Sequence, residues 1–286
     1  MSGNASLPAP ENGPEQKIAA GTGTTSLTEH FRELRSRLIR IGLGIVAGFL
    51  ICWGFSDLLA DLLYLPLVRV LPAGDAVPSS IIFTGIAEGF FTHMKLAIVA
   101  GIFLVSPFIF YQIWAFIAPG LYAEEKKFLM PVAACSAVCF VLGGAFCYFV
   151  VFPNAFRFFM TYSKGPFKAM PGMDEYFGFT MQLLLAFGLV FEMPVLAFFL
   201  SRLGVVSAAA MRSFRRYFVV IAFILGAALT PPDVISQLLM AAPLLLLYEA
   251  SILIAALCGK KTAAGEAAPE STTPGDSAEK SADPQA

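Results

Sequence analysis

The sequence predicts an all-α polytopic membrane protein, and three observations carry that prediction. Hydrophobic residues make up 57% of the chain and charged residues 14%, with a mean hydropathy of +0.74, which is too apolar for a soluble globular domain. The apolar residues gather into six stretches, most of them near the ~20 residues that an α-helix needs to cross a bilayer. The basic residues fall mainly in alternate connections between those stretches, as the positive-inside rule requires.

The formal net charge of −1 gives no electrostatic case for nucleic-acid binding. The five cysteines lie in or at the ends of apolar stretches without a Cys-x-x-Cys pair, and His30 and His93 are far apart. They read as small hydrophobes and isolated imidazoles, so no metal site and no cofactor is expected.

Residues 1–25 are rich in Gly, Ala, Pro, Ser, Thr and Asn and lack the apolar core of a signal peptide, so a disordered extension is expected there. A membrane domain then covers residues 26–258. Its first segment opens with Ser26 and Glu29 in capping-box spacing and places Leu27, Phe31, Leu34 and Leu38 on one helical face, the pattern of a short amphipathic helix at the membrane surface. Arg32, Arg35, Arg37 and Arg40 would hold it on the cytoplasmic side. Glu33 stands at i,i+4 from Arg37, an ordinary helix pair, and one turn from Glu29, a like-charge pair that suits a cationic partner.

Span one is expected over residues 39–59, with Gly44 and Gly48 at small-xxx-small spacing, followed by an exterior loop over 60–88 that holds Pro66 and the single base Arg69. Span two, residues 89–111, keeps Lys95 near its outer end, where it would snorkel. Tyr111 and Trp114 fit an interfacial aromatic belt. Tyr122, Glu124, Glu125, Lys126 and Lys127 belong to a cytoplasmic connection, and span three covers 128–151. A second exterior loop, 152–176, carries Arg157, Lys164 and Lys168, and Arg202, Arg212, Arg215 and Arg216 mark the next return to the cytoplasm.

The last two spans are expected to be short or broken. Span five has about 14 apolar residues, or roughly 21 Å, against a hydrocarbon core near 30 Å. A turn at Thr230 and Pro231 leads to span six, 234–257, interrupted by Pro243. Such a pair would thin the bilayer and need covering by a partner. Lys260 and Lys261 end the last span, and residues 259–286 form a second tail expected to be disordered. About twelve bases fall on inside segments and about four outside, which supports six helices with both termini cytoplasmic.

Span four, residues 177–200, holds one ionisable residue, Glu192, two positions before Pro194. A carboxylate at membrane depth costs roughly 2.5–3.5 kcal/mol on insertion scales, so intramembrane acids mark functional interiors. Glu192 is therefore read as the centre of a polar cavity with Thr180 and Gln182 on the same span; the alternative is a protonated structural acid bonded to a neighbouring helix. Glu249 is a second acid at membrane depth, with no role assigned.

Four stretches, HFRELRSRL at 30–38, YQIWAFIAPGLY at 111–122, FGLVFEMP at 187–194 and LTPPDVISQ at 229–237, resemble the TatC family, the receptor subunit of the twin-arginine protein translocase. The resemblance covers about residues 27–257. It implies six helices in a concave, glove-like arrangement that binds the paired arginines of signal peptides on folded cargo. It also implies TatA- and TatB-type single-span partners, more than one copy of the chain per complex, and export driven by the proton motive force. By motif position, Glu33 and Glu125 would receive the arginines, with Arg35 and Tyr122 beside them. Glu192 would be the intramembrane polar residue, and Gln237, Thr230 and Pro231 would lie in the partner-contact region.

The residues themselves agree with that use, since two guanidiniums each need a carboxylate, and Glu33 and Glu125 sit on separate elements able to converge on one peptide. The alternative is a proton-coupled small-solute transporter with Glu192 as carrier. An intramembrane enzyme finds no support in any His-Glu-x-x-His or Gly-x-Ser-x-Gly motif. The absence of a transit peptide favours a bacterial plasma membrane over a plastid.

Overall fold

A computed structural model describes residues 22–69, 81–82, 85–117, 129–161, 172–230 and 234–258. Among these, nine α-helices and one π-helical turn follow each other, and the only extended pairing is an isolated bridge between Ile82 and Gly172. Five spans among the described residues are long and apolar enough to cross a membrane: Glu29–Trp53, Glu88–Ile117, Leu129–Thr161, Met173–Arg202 and Gln237–Leu257.

The helix α1 runs without a break from Thr22 to Trp53, 32 residues. It begins inside the segment expected to lack structure and joins the expected surface helix to span one. No proline or glycine lies between Ser26 and Ile41, so nothing in the backbone separates them. Its main packing partner is α3, Glu88–Ile117. The two helices meet at Gly48 and Gly101, where an added Cβ on Gly48 would lie 2.8 Å from the Gly101 carbonyl oxygen and one on Gly101 2.7 Å from the Phe49 nitrogen. The small-residue spacing of α1 thus serves close approach.

Residues expected to open an exterior loop instead form α2, Ser56–Val68, after a turn at Gly54 and Phe55. Leu63, Pro66 and Leu67 bury one face of it, a helical repeat that the proline masks in the sequence. Pro66 has no N–H to give the carbonyl of Leu62, and the Tyr148 hydroxyl donates to that oxygen at 2.8 Å. In α3, Pro107 likewise leaves the Phe103 carbonyl free, and the Ser106 hydroxyl donates to it at 2.8 Å.

The next helix, α4 (Leu129–Phe146), widens into a π-turn over Cys147–Val151 and continues as α5 (Phe152–Thr161). Span three therefore extends into what the sequence assigned to a loop. The wide turn precedes Pro153, whose ring would strike the carbonyl four residues back in an α-helix. The fourth span divides into α6 (Met173–Val190) and α7 (Met193–Arg202). They are joined by a turn at Phe191 and Glu192 where Pro194 cannot bond to Val190. Met173 N donates to Ile82 O at 3.0 Å, and Lys95 pairs with Asp174 at 2.6 Å instead of snorkelling.

Gly204, at φ +73°, turns the chain towards α8 (Ala208–Leu229), which Ser207 caps by accepting from Ala210 N. Arg212, Arg215 and Arg216 occupy the first half of α8, so its apolar part is short, as expected. The expected break in span six is absent: α9 (Val234–Cys258) passes through Pro243 as one helix of 25 residues. Phe218 of α8 stacks on Tyr248 of α9 at 3.9 Å, and Tyr248 donates to Met211 O.

Two hydrophobic cores result. The larger joins α2, α3, the π-turn, α5, α6, α8 and α9 around Leu67, Leu96, Phe152, Leu183, Phe187 and Met240. The smaller joins Phe110 and Trp114 of α3 with Val132 and Phe140 of α4 and Val195 and Phe199 of α7. The turn at Glu192 lies between them in the chain.

Candidate functional site

The N-terminal half of α1 and the C-terminal end of α3 form the first constellation. Arg37 donates to Glu33 Oε1 through Nε at 2.9 Å and Nη2 at 2.6 Å, and through Nη1 to Gln112 Oε1 at 3.3 Å. Two turns away on α1, His30 stacks on Phe116, with centroids 4.5 Å apart. These contacts fix α1 against α3, so the Glu33 carboxylate stands on a braced helix while remaining 35% exposed. A groove of about 560 Å³ runs beside it, lined by Glu29, Arg32, Glu33, Ser36, Arg37 and Arg40.

Of the residues that the sequence assigned to this site, Glu33 lines the groove. Arg35 is exposed but lies about 200° round the helix from Glu33 and is not part of the lining. Glu125 and Tyr122 lie outside the described residues. Gln112 was missed as a site residue; its signal was an amide alone in the apolar run of α3.

The second constellation surrounds Glu192. Trp114 is 2% exposed, buried rather than interfacial, and its indole N–H donates to Ser136 Oγ at 2.9 Å. Ser136 stands in turn against the Glu192 carboxyl. Phe199 closes edge-on to Trp114 at 4.4 Å. Three spans therefore supply one buried polar chain, Trp114 from α3, Ser136 from α4 and Glu192 from the turn between α6 and α7.

Among the described residues, the expected polar cavity is not seen around Glu192. Glu192 is 5% exposed, and its Oε1 has no hydrogen-bond partner among the described residues. The nearby groove of about 400 Å³, between α4, α7 and α9, has apolar walls that include Cys139, Pro194, Phe198 and Ile254. Thr180 and Gln182 turn elsewhere, to the carbonyls of Tyr176 and Ala228. Glu249 is half-exposed and pairs with Arg215 at 2.6 Å, so it shares nothing with Glu192.

At the opposite end of the molecule, Thr230 Oγ1 donates to Gly226 O at 2.9 Å and Gln237 Nε2 to Phe223 O at 2.8 Å. The Thr230 bond closes the last turn of α8, the Gln237 bond ties α9 to α8, and Pro231 lies outside the described residues. Beside them Val234, Ile235 and Leu238 face outward. Among the described residues no group of three His, Cys, Asp or Glu side chains is arranged to hold a metal ion.

Comparison with known proteins gives this arrangement its context. The profile of the family described as Sec-independent protein translocase protein (TatC) matches residues 29–243. The Sec-independent protein translocase protein TatC of Desulforapulum autotrophicum is 44% identical over 234 residues, 82% of this chain and 85% of that one. Its counterpart from Magnetococcus marinus is 40% identical over 245 residues, 85% of this chain and 89% of that one. The crystal structure of a twin arginine translocase receptor, TatC, aligns with a TM-score of 0.72 at 37% identity, covering 80% of this chain and 99% of that chain. A match over most of the length, in sequence and in fold together, is decisive: the chain belongs to the TatC family of Sec-independent protein translocases, a family of transport proteins and not of enzymes.

Proposed function

We propose that this multi-pass membrane protein is the receptor and core subunit of a twin-arginine translocase, holding the paired arginines of signal peptides on folded cargo at its base-rich end. In this reading the base-rich end and both termini face the cytoplasm, and six spans cross a bacterial plasma membrane. TatA- and TatB-type single-span proteins join several copies of the chain. They dock near Thr230, Pro231 and Gln237, where the apolar faces of Val234, Ile235 and Leu238 are uncovered. The proton motive force drives export.

One observation carries the proposal: Glu33 is a half-exposed carboxylate on a braced helix that already receives a guanidinium. Both bonds from Arg37 go to Oε1, which leaves Oε2 available to a second guanidinium. Arginine suits the position better than lysine, because its planar fork fits a carboxylate in a fixed orientation. Glu125, from the connection that precedes α4, is the second acceptor.

The test is binding of an Arg-Arg signal peptide and its Lys-Lys counterpart to the purified chain in nanodiscs. A charge-assisted hydrogen bond contributes about 1.5–3 kcal/mol, so Glu33→Gln and Glu125→Gln are each expected to weaken Arg-Arg binding at least tenfold. Glu29→Gln, in the same groove, should leave it nearly unchanged. Equal binding of the two peptides by the unaltered chain would remove the receptor reading. The alternative, a solute transporter working through Glu192, is opposed by the apolar walls beside that residue and by its burial.

A further inference from the structure

At the end of the molecule opposite the N-terminus of α1, two arginines far apart in the sequence line one pocket. Arg69 caps the C-terminus of α2 and Arg157 lies on α5, and between them is a cavity of about 220 Å³ whose other walls are Pro66, Tyr148, Phe149 and Pro153. The walls are fixed. Two are prolines, and the Tyr148 ring is tied down by its hydroxyl bond to Leu62 O.

Both arginines are exposed, and neither pairs with a carboxylate among the described residues. Another cation at this end does have a partner, Lys95 with Asp174 at 2.6 Å. Two converging guanidiniums without a counter-ion among the described residues favour an anion that accepts several hydrogen bonds, and their geometry suits phosphate oxygens. The surroundings select the kind of phosphate. Phe149 beside the pocket is 68% exposed and Val150 is exposed too, on a helix that spans the membrane, so an apolar tail has a surface to lie along.

We infer that the pocket between α2 and α5 binds the phosphodiester headgroup of an anionic phospholipid in the leaflet at this end, with its acyl chains along Phe149 and Val150. The site is independent of the receptor reading, since it lies at the other end of the spans and uses none of the same residues. A bound lipid would hold α2 to α5 through both arginines at once.

Native mass spectrometry of the full chain in detergent tests this, with phosphatidylglycerol and phosphatidylcholine of identical acyl chains as probes. The chain is expected to retain phosphatidylglycerol in preference. Each basic residue near an anionic surface contributes about a factor of five in affinity, so R69Q/R157Q should lose roughly twenty-five-fold, while R212Q, at the base-rich end, should keep the preference. Retained secondary structure by circular dichroism shows that the double variant is folded. Equal retention of the two lipids by the unaltered chain, or undiminished phosphatidylglycerol binding by R69Q/R157Q, would overturn the assignment. Displacement of the lipid by inorganic phosphate at matched concentration would overturn it in favour of a free-anion site.

Discussion

The hydroxyl of Ser136 accepts from the Trp114 indole and stands against the Glu192 carboxyl, so one small side chain completes a polar chain across three spans. Ser136→Ala leaves the buried indole N–H without an acceptor, at a cost of about 1–3 kcal/mol. The expected result is a clear drop in the unfolding temperature of the detergent-solubilised protein. Ser213→Ala removes an exposed hydroxyl bonded to Ala210 O and serves as the reference. If the two variants unfold alike, the buried chain contributes nothing to stability. At this scale the sequence showed the isolated acid and the i,i+4 pairing of Glu33 with Arg37. It did not show that Trp114 is buried, because an indole near the end of an apolar run reads equally well as an interfacial anchor until its neighbours on α4 are known.

Prolines explain most of the differences between expected and observed elements. Pro66 and Pro243 read as breaks in the sequence, yet α2 and α9 run through both, since a helix tolerates the missing bond where another group satisfies the carbonyl or packing holds the backbone. For α2 that group is the Tyr148 hydroxyl, which gives a double-mutant test. Tyr148→Phe should cost about 1 kcal/mol in the presence of Pro66. In a Pro66→Ala background the Leu62 carbonyl regains its own amide, so the cost should largely vanish. Equal costs in both backgrounds would mean that Tyr148 stabilises the fold by another route. The sequence could not supply this partner, because Tyr148 lies 86 residues from Leu62.

Across the whole molecule, the order of spans and the crowding of bases at one end were readable from hydropathy and charge alone. The exact helix ends and the two separate cores were not, since these depend on which helices touch. Packing is uneven: 6% of the membrane window of α1 is buried, against 39% for α6 and α7 together. The attachment of α1 therefore depends on its seam with α3, and Gly101→Val should open that seam, because the new Cβ would meet the Phe49 backbone at 2.7 Å. Cysteines placed as His30→Cys and Phe116→Cys should cross-link in the parent and fail to do so with Gly101→Val. A second pair at Phe218 and Tyr248, on α8 and α9, should still form. Loss of both cross-links together would show that α1 is required by the entire fold.

An unbroken α1 also acts as a ruler and a clock hand. Its 32 residues measure about 48 Å, well beyond the ~30 Å of a hydrocarbon core. Both the height and the compass bearing of Glu33 are thus set from the seam at Gly48. One alanine inserted between Leu38 and Ile39 would swing Glu33 by about 100° and carry it away from Gln112. Seven inserted residues would restore the bearing within roughly 20° while lifting the carboxylate by about 10 Å. Twin-arginine peptide binding should fail with one residue inserted. Its recovery with seven would mean that bearing alone matters, and its continued absence that height matters as well.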